Sequence, residues 1–114
     1  MSYESAKGYR GERAVELLWH DLGRPVTRPR AGAAQDVGDL LGLPLVVSVK
    51  NCTRVDLAGW VTGMQAQMVH AGLPVGVVWH KRRGKADPRD WYVTTTGRCA
   101  VTLLEAYCDA VTGK

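Results

Sequence analysis

The residues best placed to do chemistry are Asp39, Ser48 and Lys50. Residues 45–50 (Leu-Val-Val-Ser-Val-Lys) read as a strand, in which alternate side chains share a face. Val46, Ser48 and Lys50 therefore point one way and Leu45, Val47 and Val49 the other, so a hydroxyl and an ammonium emerge together where the apolar stretch ends. Gly42 and Pro44 mark a tight turn just before it, and Asp39 stands on the far side of that turn. An antiparallel hairpin would set Asp39 beside Ser48 and Lys50. A carboxylate and an ammonium gathered at one strand exit suit chemistry on a charged ester: the carboxylate can hold a cation and the ammonium can stabilise added negative charge. Each residue has a plainer reading too, Asp39 as turn chemistry and Lys50 as an ordinary strand-end lysine. Their expected adjacency favours a site.

Around this hairpin the periodicity lays out the supporting elements. Residues 5–22 read as a helix, with Ala14, Val15, Leu17, Leu18 and Leu22 at helical spacing and Gly23 and Pro25 ending it. Residues 25–30 form a weak strand whose two prolines assign it to an edge. Residues 31–34 are a small-residue loop, and residues 36–41 and 45–50 are the hairpin strands. Asp56 can cap a second helix running to about residue 70, with Leu57, Trp60, Val61, Met64 and Met68 on one stripe. Residues 74–80 are almost wholly apolar, as in a strand buried on both faces. A basic loop, a strand over 90–95 and a last helix from Thr96 complete the chain. The expected order is α-β-β-β-α-β-β-α: one α/β domain over residues 1–114, a central mixed sheet flanked by helices.

The bulk properties bound the function. With 114 residues and 46% hydrophobic content there is room for one domain with a modest core. No apolar run approaches the ~20 residues that span a bilayer, and the first residues lack the pattern of a secretory signal, so a cytoplasmic protein without a membrane partner is expected. The three cysteines, Cys52, Cys99 and Cys108, show no zinc spacing and read as reduced thiols. His20, His70 and His80 form no ligand spacing and are expected at the surface or at helix ends. Trp19, Trp60, Trp79 and Trp91 are expected in the core or a dimer interface. The formal charge is +4, from 15 Lys plus Arg against 11 Asp plus Glu. The bases cluster as Lys7, Arg10 and Arg13; as Arg24, Arg28 and Arg30; and as Lys81, Arg82, Arg83 and Lys85, with Arg54 after the third strand. A basic loop is usually just solvated. Three such clusters around one site could instead follow a phosphate backbone, which positions nucleic acid without reading its bases.

Taken in order, Gly11-Glu12-Arg13-Ala14 with Val15 and Leu17-Leu18, then Val37-Gly38-Asp39-Leu40, then Ser48-Val49-Lys50, the chain resembles the PD-(D/E)xK phosphodiesterases, and within them the archaeal-type Holliday-junction resolvases and related small phage-encoded proteins. The likeness covers roughly residues 6–95. It implies a restriction-endonuclease-like core and metal-dependent hydrolysis of phosphodiester bonds in branched or duplex DNA. It also implies Mg²⁺ or Mn²⁺ held by Glu12 and Asp39, Lys50 as the catalytic lysine, and a homodimer, because a four-way junction has two-fold symmetry. Some members carry a glutamine on the second helix, for which Gln65 is the candidate here and Gln67 its neighbour. The expected DNA contacts are Lys7, Arg10, Arg13, Arg28, Arg30, Arg54, Gln65, Lys81, Arg82 and Arg83.

The chain departs from that pattern at Ser48, where the family has Asp or Glu. A neutral hydroxyl is a poor Mg²⁺ ligand beside a carboxylate. Three readings stay open. The site works with Glu12, Asp39, backbone carbonyls and water; or Asp36 compensates, which requires a bulge at Gly38; or the domain is a catalytically silent shell that binds DNA structure without cutting it. A protein-interaction domain with no nucleic-acid role is a further alternative.

Overall fold

The computed structural model describes residues 3–30 and 35–113. Their elements run α1 (Tyr3–Asp21), β1 (Val46–Lys50), α2 (Leu57–Ala71), β2 (Gly76–His80), a 3-10 turn (Pro88–Asp90), β3 (Tyr92–Thr94) and α3 (Gly97–Thr112). β1 and β2 are parallel, with Val46 opposite Gly76 and Lys50 opposite His80. β3 runs antiparallel to β2, Val78 facing Thr94. The result is a three-stranded mixed sheet in the order β1-β2-β3. α2 is the crossover between the two parallel strands, as a parallel pair requires.

The alternation expected for β1 is present and divides the core. Val47 and Val49 join Val15 of α1, Val26, Leu40, Val77 and Trp91 in one buried cluster. Val46 faces the other side with Val78 and Met64 of α2, against which Trp60, Val61 and Met68 pack. α1 and α2 thus cover opposite faces of the sheet. The Trp60/Met64/Met68 stripe is core, since Met64 is 0% exposed. The tryptophans likewise serve the interior: Trp91 is buried, and Trp19 meets Trp79 edge to face with centroids 6.2 Å apart.

Local chemistry accounts for the helix ends. Asp56 accepts from the Gly59 N–H at the start of α2, and Gly72, left-handed at φ 68°, closes it by donating to Met68 and Val69 carbonyls. The Thr96 hydroxyl accepts from the Cys99 N–H to start α3. The inward face of α1 differs from the expected one: Val15, Leu18 and Glu16 are buried, while Leu17 and Leu22 stay exposed.

Two expectations are corrected. Residues 25–30 and 36–41 form no regular strands: among the described residues they contribute only two isolated antiparallel bridges, Thr27 with Leu41 and Leu40 with Val47. The hairpin's direction survives without its ladder, because Pro25 and Pro29 lack N–H donors and because Gly38 and Gly42 sit at φ 103° and 112°, outside the pleat. The small-residue loop at 31–34 lies outside the described residues. Second, His80 is interior, not superficial: it is 7% exposed, its Nε2 lies 2.8 Å from the Thr94 hydroxyl, and Trp60 and Tyr92 pack on its ring. α3 stands mostly outside the core. Its first turn is held by buried Cys99, whose Sγ is 4.0 Å from Met68 Sδ, whereas Val101, Leu104, Tyr107 and Val111 are exposed.

Two predictions follow from this packing. A Cβ at position 38 would sit 3.0 Å from Val46 Cγ1 and 3.2 Å from the Val47 carbonyl in a left-handed conformation. Gly38→Ala should therefore cost about 1–3 kcal/mol in denaturant unfolding, and an unchanged midpoint would contradict the geometry. Burial lowers the His80 pKa below 6.5. The unfolded chain therefore takes up that proton first, and stability should fall as pH drops through and below about 6.5. Melting curves between pH 7.5 and 5.5 should be flatter for His80→Gln than for the unaltered chain.

Candidate functional site

The site is built on the irregular segment before β1. Asp39 is fastened to β1 twice: its N–H donates to the Val47 carbonyl at 2.8 Å, and its Oδ2 accepts from the Val49 N–H at 2.6 Å. These two bonds straddle Ser48, which realises the adjacency expected of the hairpin. Gly38 provides the kink. The carboxylate of Asp36 accepts from the Gly38 N–H at 3.1 Å and from Gln67 Nε2 at 2.9 Å, and the Asp36 carbonyl lies 2.9 Å from His70 Nδ1. α2 thereby holds the start of the segment while β1 holds its end.

α1 brings Glu12 and Glu16 to the same place. A cleft of about 670 Å³ is lined by Glu12, Glu16, Thr27, Arg28, Pro29, Arg30, Gln35, Asp36, Val37, Gly38 and Asp39. Burial raises the Glu12 pKa above the usual carboxylate range, and the Asp39 charge raises it further, while Arg28 and Lys50 pull it down. Asp39 is likewise raised, chiefly by burial and also by Asp36, against the Val49 hydrogen bond and the Lys50 charge. The charges of Asp39 and Lys50 therefore reach Glu12, and that of Lys50 reaches Asp39; Glu12 and Asp39 line the cleft, and Lys50 does not.

The basic residues divide. Arg28 lies 3.6 Å from Glu16 Oε1 and stacks on Tyr9, 4.2 Å from the ring centroid. Arg13 lies 2.8 Å from the same oxygen. Both are thus partly neutralised from within. Arg30 lines the cleft, and Arg10 and Arg54 are exposed outside it. Lys7, Lys81 and Arg83 meet in a separate groove past the end of β1. Arg82 sits over Tyr92, 5.2 Å from its centroid. Gln65 is exposed and lies with Met68, Val69, Gly72, Leu73 and Pro74, away from Asp39.

Ser48 is 1% exposed and does not line the cleft. Two participants escaped the sequence reading. Glu16 lies four residues after Glu12, the spacing that puts two helical side chains on one face. Gln67, and not Gln65, reaches Asp36; its Oε1 is buried with no hydrogen-bond partner among the described residues.

Among the described residues no set of three or more Asp, Glu, His or Cys side chains is arranged to hold a metal ion. Glu12 and Asp39 both line the cleft, with one Asp39 oxygen already engaged by the Val49 N–H. Such a pair fits Mg²⁺, which commonly takes one or two carboxylates and completes its shell with water and phosphate. Both Asp36 carboxylate oxygens are occupied, by Gly38 and Gln67, so Asp36 lends its charge to the cleft.

No family model, curated protein or solved structure matches this chain. No helix among the described residues is long and apolar enough to cross a membrane.

The raised pKa of Glu12 gives a test of the cleft. A carboxyl whose folded pKa lies above its unfolded one opposes folding once ionised, so its stabilising effect is present at low pH and lost as pH rises. Glu12→Gln should raise the melting temperature at pH 7, and the gain should shrink as pH falls toward 4.5. A lower melting temperature at pH 7 would show that the Glu12 carboxylate is not disfavoured by its burial.

Proposed function

We propose that this protein is a metal-dependent endonuclease of the PD-(D/E)xK kind, with a restriction-endonuclease-like core, acting on branched DNA in the manner of a Holliday-junction resolvase. The observation that carries the reading is that Glu12 and Asp39 line one cleft, both raised by burial, with Lys50 outside its lining yet near enough for its charge to lower both. Glu12 and Asp39 would hold Mg²⁺ or Mn²⁺, which when bound acidifies water and neutralises phosphate oxygens. Lys50 stabilises charge gained at phosphorus. The Val49 N–H fixes the Asp39 carboxylate, and Gly38 turns it into the cleft. Arg30 beside the cleft and the cations beyond β1 position the backbone of the DNA without reading bases.

A homodimer is part of this proposal. Val101, Leu104, Cys108 and Val111 recur at alternating spacings of three and four residues along the exposed length of α3. That spacing is the seam of a helix pair, and a two-fold pair of cleft-bearing domains suits a two-fold junction.

One observation favours a second reading, a nuclease-fold module that binds DNA structure without cutting. Ser48 is buried, and among the described residues no three acidic, His or Cys side chains are gathered to hold a metal. Incubating a synthetic four-way junction with Mg²⁺ or Mn²⁺ separates the readings. The enzyme reading expects cleavage by the unaltered chain, reduced about 100-fold or more in Lys50→Ala with junction binding retained. Binding without cleavage in either metal, with cutting gained in Ser48→Glu, supports the silent module; melting curves check that the buried glutamate leaves the fold intact. No binding to junction, duplex or single strands at low salt would sink both and favour a protein-interaction domain.

A further inference from the structure

A second concavity lies past the C-terminal ends of the parallel strands, where β1 leaves at Lys50 and β2 at His80. It encloses about 430 Å³ and is lined by Lys7, Asn51, Cys52, Thr53, Lys81, Arg83 and Gly84. Its three cations come from three separate positions, one on α1 and two in the loop after β2. Among the described residues no carboxylate lines it and none of the three cations is in an ion pair. This sets it apart from the acidic cleft, where Glu16 answers Arg13 and Arg28.

The groove is held in shape by neutral contacts that leave its charge unspent. The Asn51 side chain donates to the Lys7 carbonyl at 2.9 Å, tying α1 to the strand exit. Gly11 allows that approach, since a Cβ there would meet Asn51 Cβ at 2.9 Å. Lys7 Nζ donates to the Thr53 hydroxyl at 2.8 Å. Lys81 is fixed by its N–H to the Lys50 carbonyl at 2.9 Å, by Nζ to the Lys85 carbonyl at 2.9 Å and by the Trp91 ring 5.5 Å away. The turn at Gly84, φ 79°, carries Arg83 at the rim. Ammonium and guanidinium groups converging on a concave, acid-free surface suit a phosphate oxygen cluster.

We propose that this groove seats a single backbone phosphate of duplex DNA whose backbone also reaches the Glu12/Asp39 cleft. The inference rests on the nucleic-acid reading above and adds a second phosphate position to it: Lys7 and Glu12, five residues apart on α1, belong to the groove and to the cleft respectively. Arg82, engaged with Tyr92, lies outside the seat.

The test is the salt dependence of duplex binding by the full chain, measured without metal, for the unaltered protein, Lys7→Gln/Arg83→Gln and a control, Arg89→Gln. Each phosphate neutralised contributes about 0.9 to the slope of log affinity against log salt. The double variant should bind tenfold or more weakly at low salt, with a slope shallower by about one. Arg89→Gln should behave as the unaltered chain, and Lys7→Arg should retain binding. Salt-dependent binding by the unaltered chain with no change in the double variant overturns the seat and leaves the nucleic-acid reading standing. Absence of duplex binding by the unaltered chain overturns both. Micromolar binding of inorganic phosphate without duplex binding assigns the groove to a small phosphate and also overturns the proposal.

Discussion

The short hydrogen bond from the Val49 N–H to the Asp39 carboxylate, 2.6 Å long, is the contact on which the candidate site turns. A carboxylate taken out of water needs compensation, and here a strand amide and the Lys50 charge offset part of that cost. In return the carboxylate staples the segment before β1 to the sheet edge, where a continuous ladder is missing and only the Leu40–Val47 bridge and the Asp39–Val47 bond remain. Without that staple, Asp39 would have no fixed relation to Lys50 or to Glu12 on α1.

α1 links two sites of opposite character. On one flank Glu12 and Glu16 join Asp36 and Asp39 in a cleft whose arginines are partly answered by Glu16. On the other, Lys7 joins Lys81 and Arg83 in a groove without acids among the described residues. The net charge of +4 says nothing of this separation; it arises because α1 packs along β1 with its polar residues on both sides of the buried Val15 and Leu18. A polyanion that enters the acidic cleft must be held by something else, and in the proposed reading the neighbouring groove supplies that hold.

α3 is the element least explained by the single chain. Apart from Cys99 its residues are exposed or half-exposed, and an isolated helix of its length is marginal in water. Cys99 and the Thr96 cap secure one end only. The proposed two-fold pairing gives the remaining apolar stripe a partner and fixes two clefts relative to each other.

Much of the fold was legible in the residues because short-range rules decide it. Alternation in β1, the apolar run of β2, the Asp56 and Thr96 caps and the Gly72 stop each depend on neighbours within a few positions. The adjacency of Asp39 and Ser48 was legible for the same reason, since a turn at Gly42 and Pro44 folds one segment back on the other. What only the tertiary structure decided depends on contacts between distant segments. Residues 25–30 and 36–41 carry strand-like composition, yet their prolines and positive-φ glycines reduce them to single bridges once other elements claim their polar groups. His80 is interior because β3, α2 and β2 close around it. Gln67 was chosen over Gln65 by the rotation of α2 against the sheet. The side of a helix that meets the sheet, and the partner each charge finds there, follow from packing that no local pattern encodes.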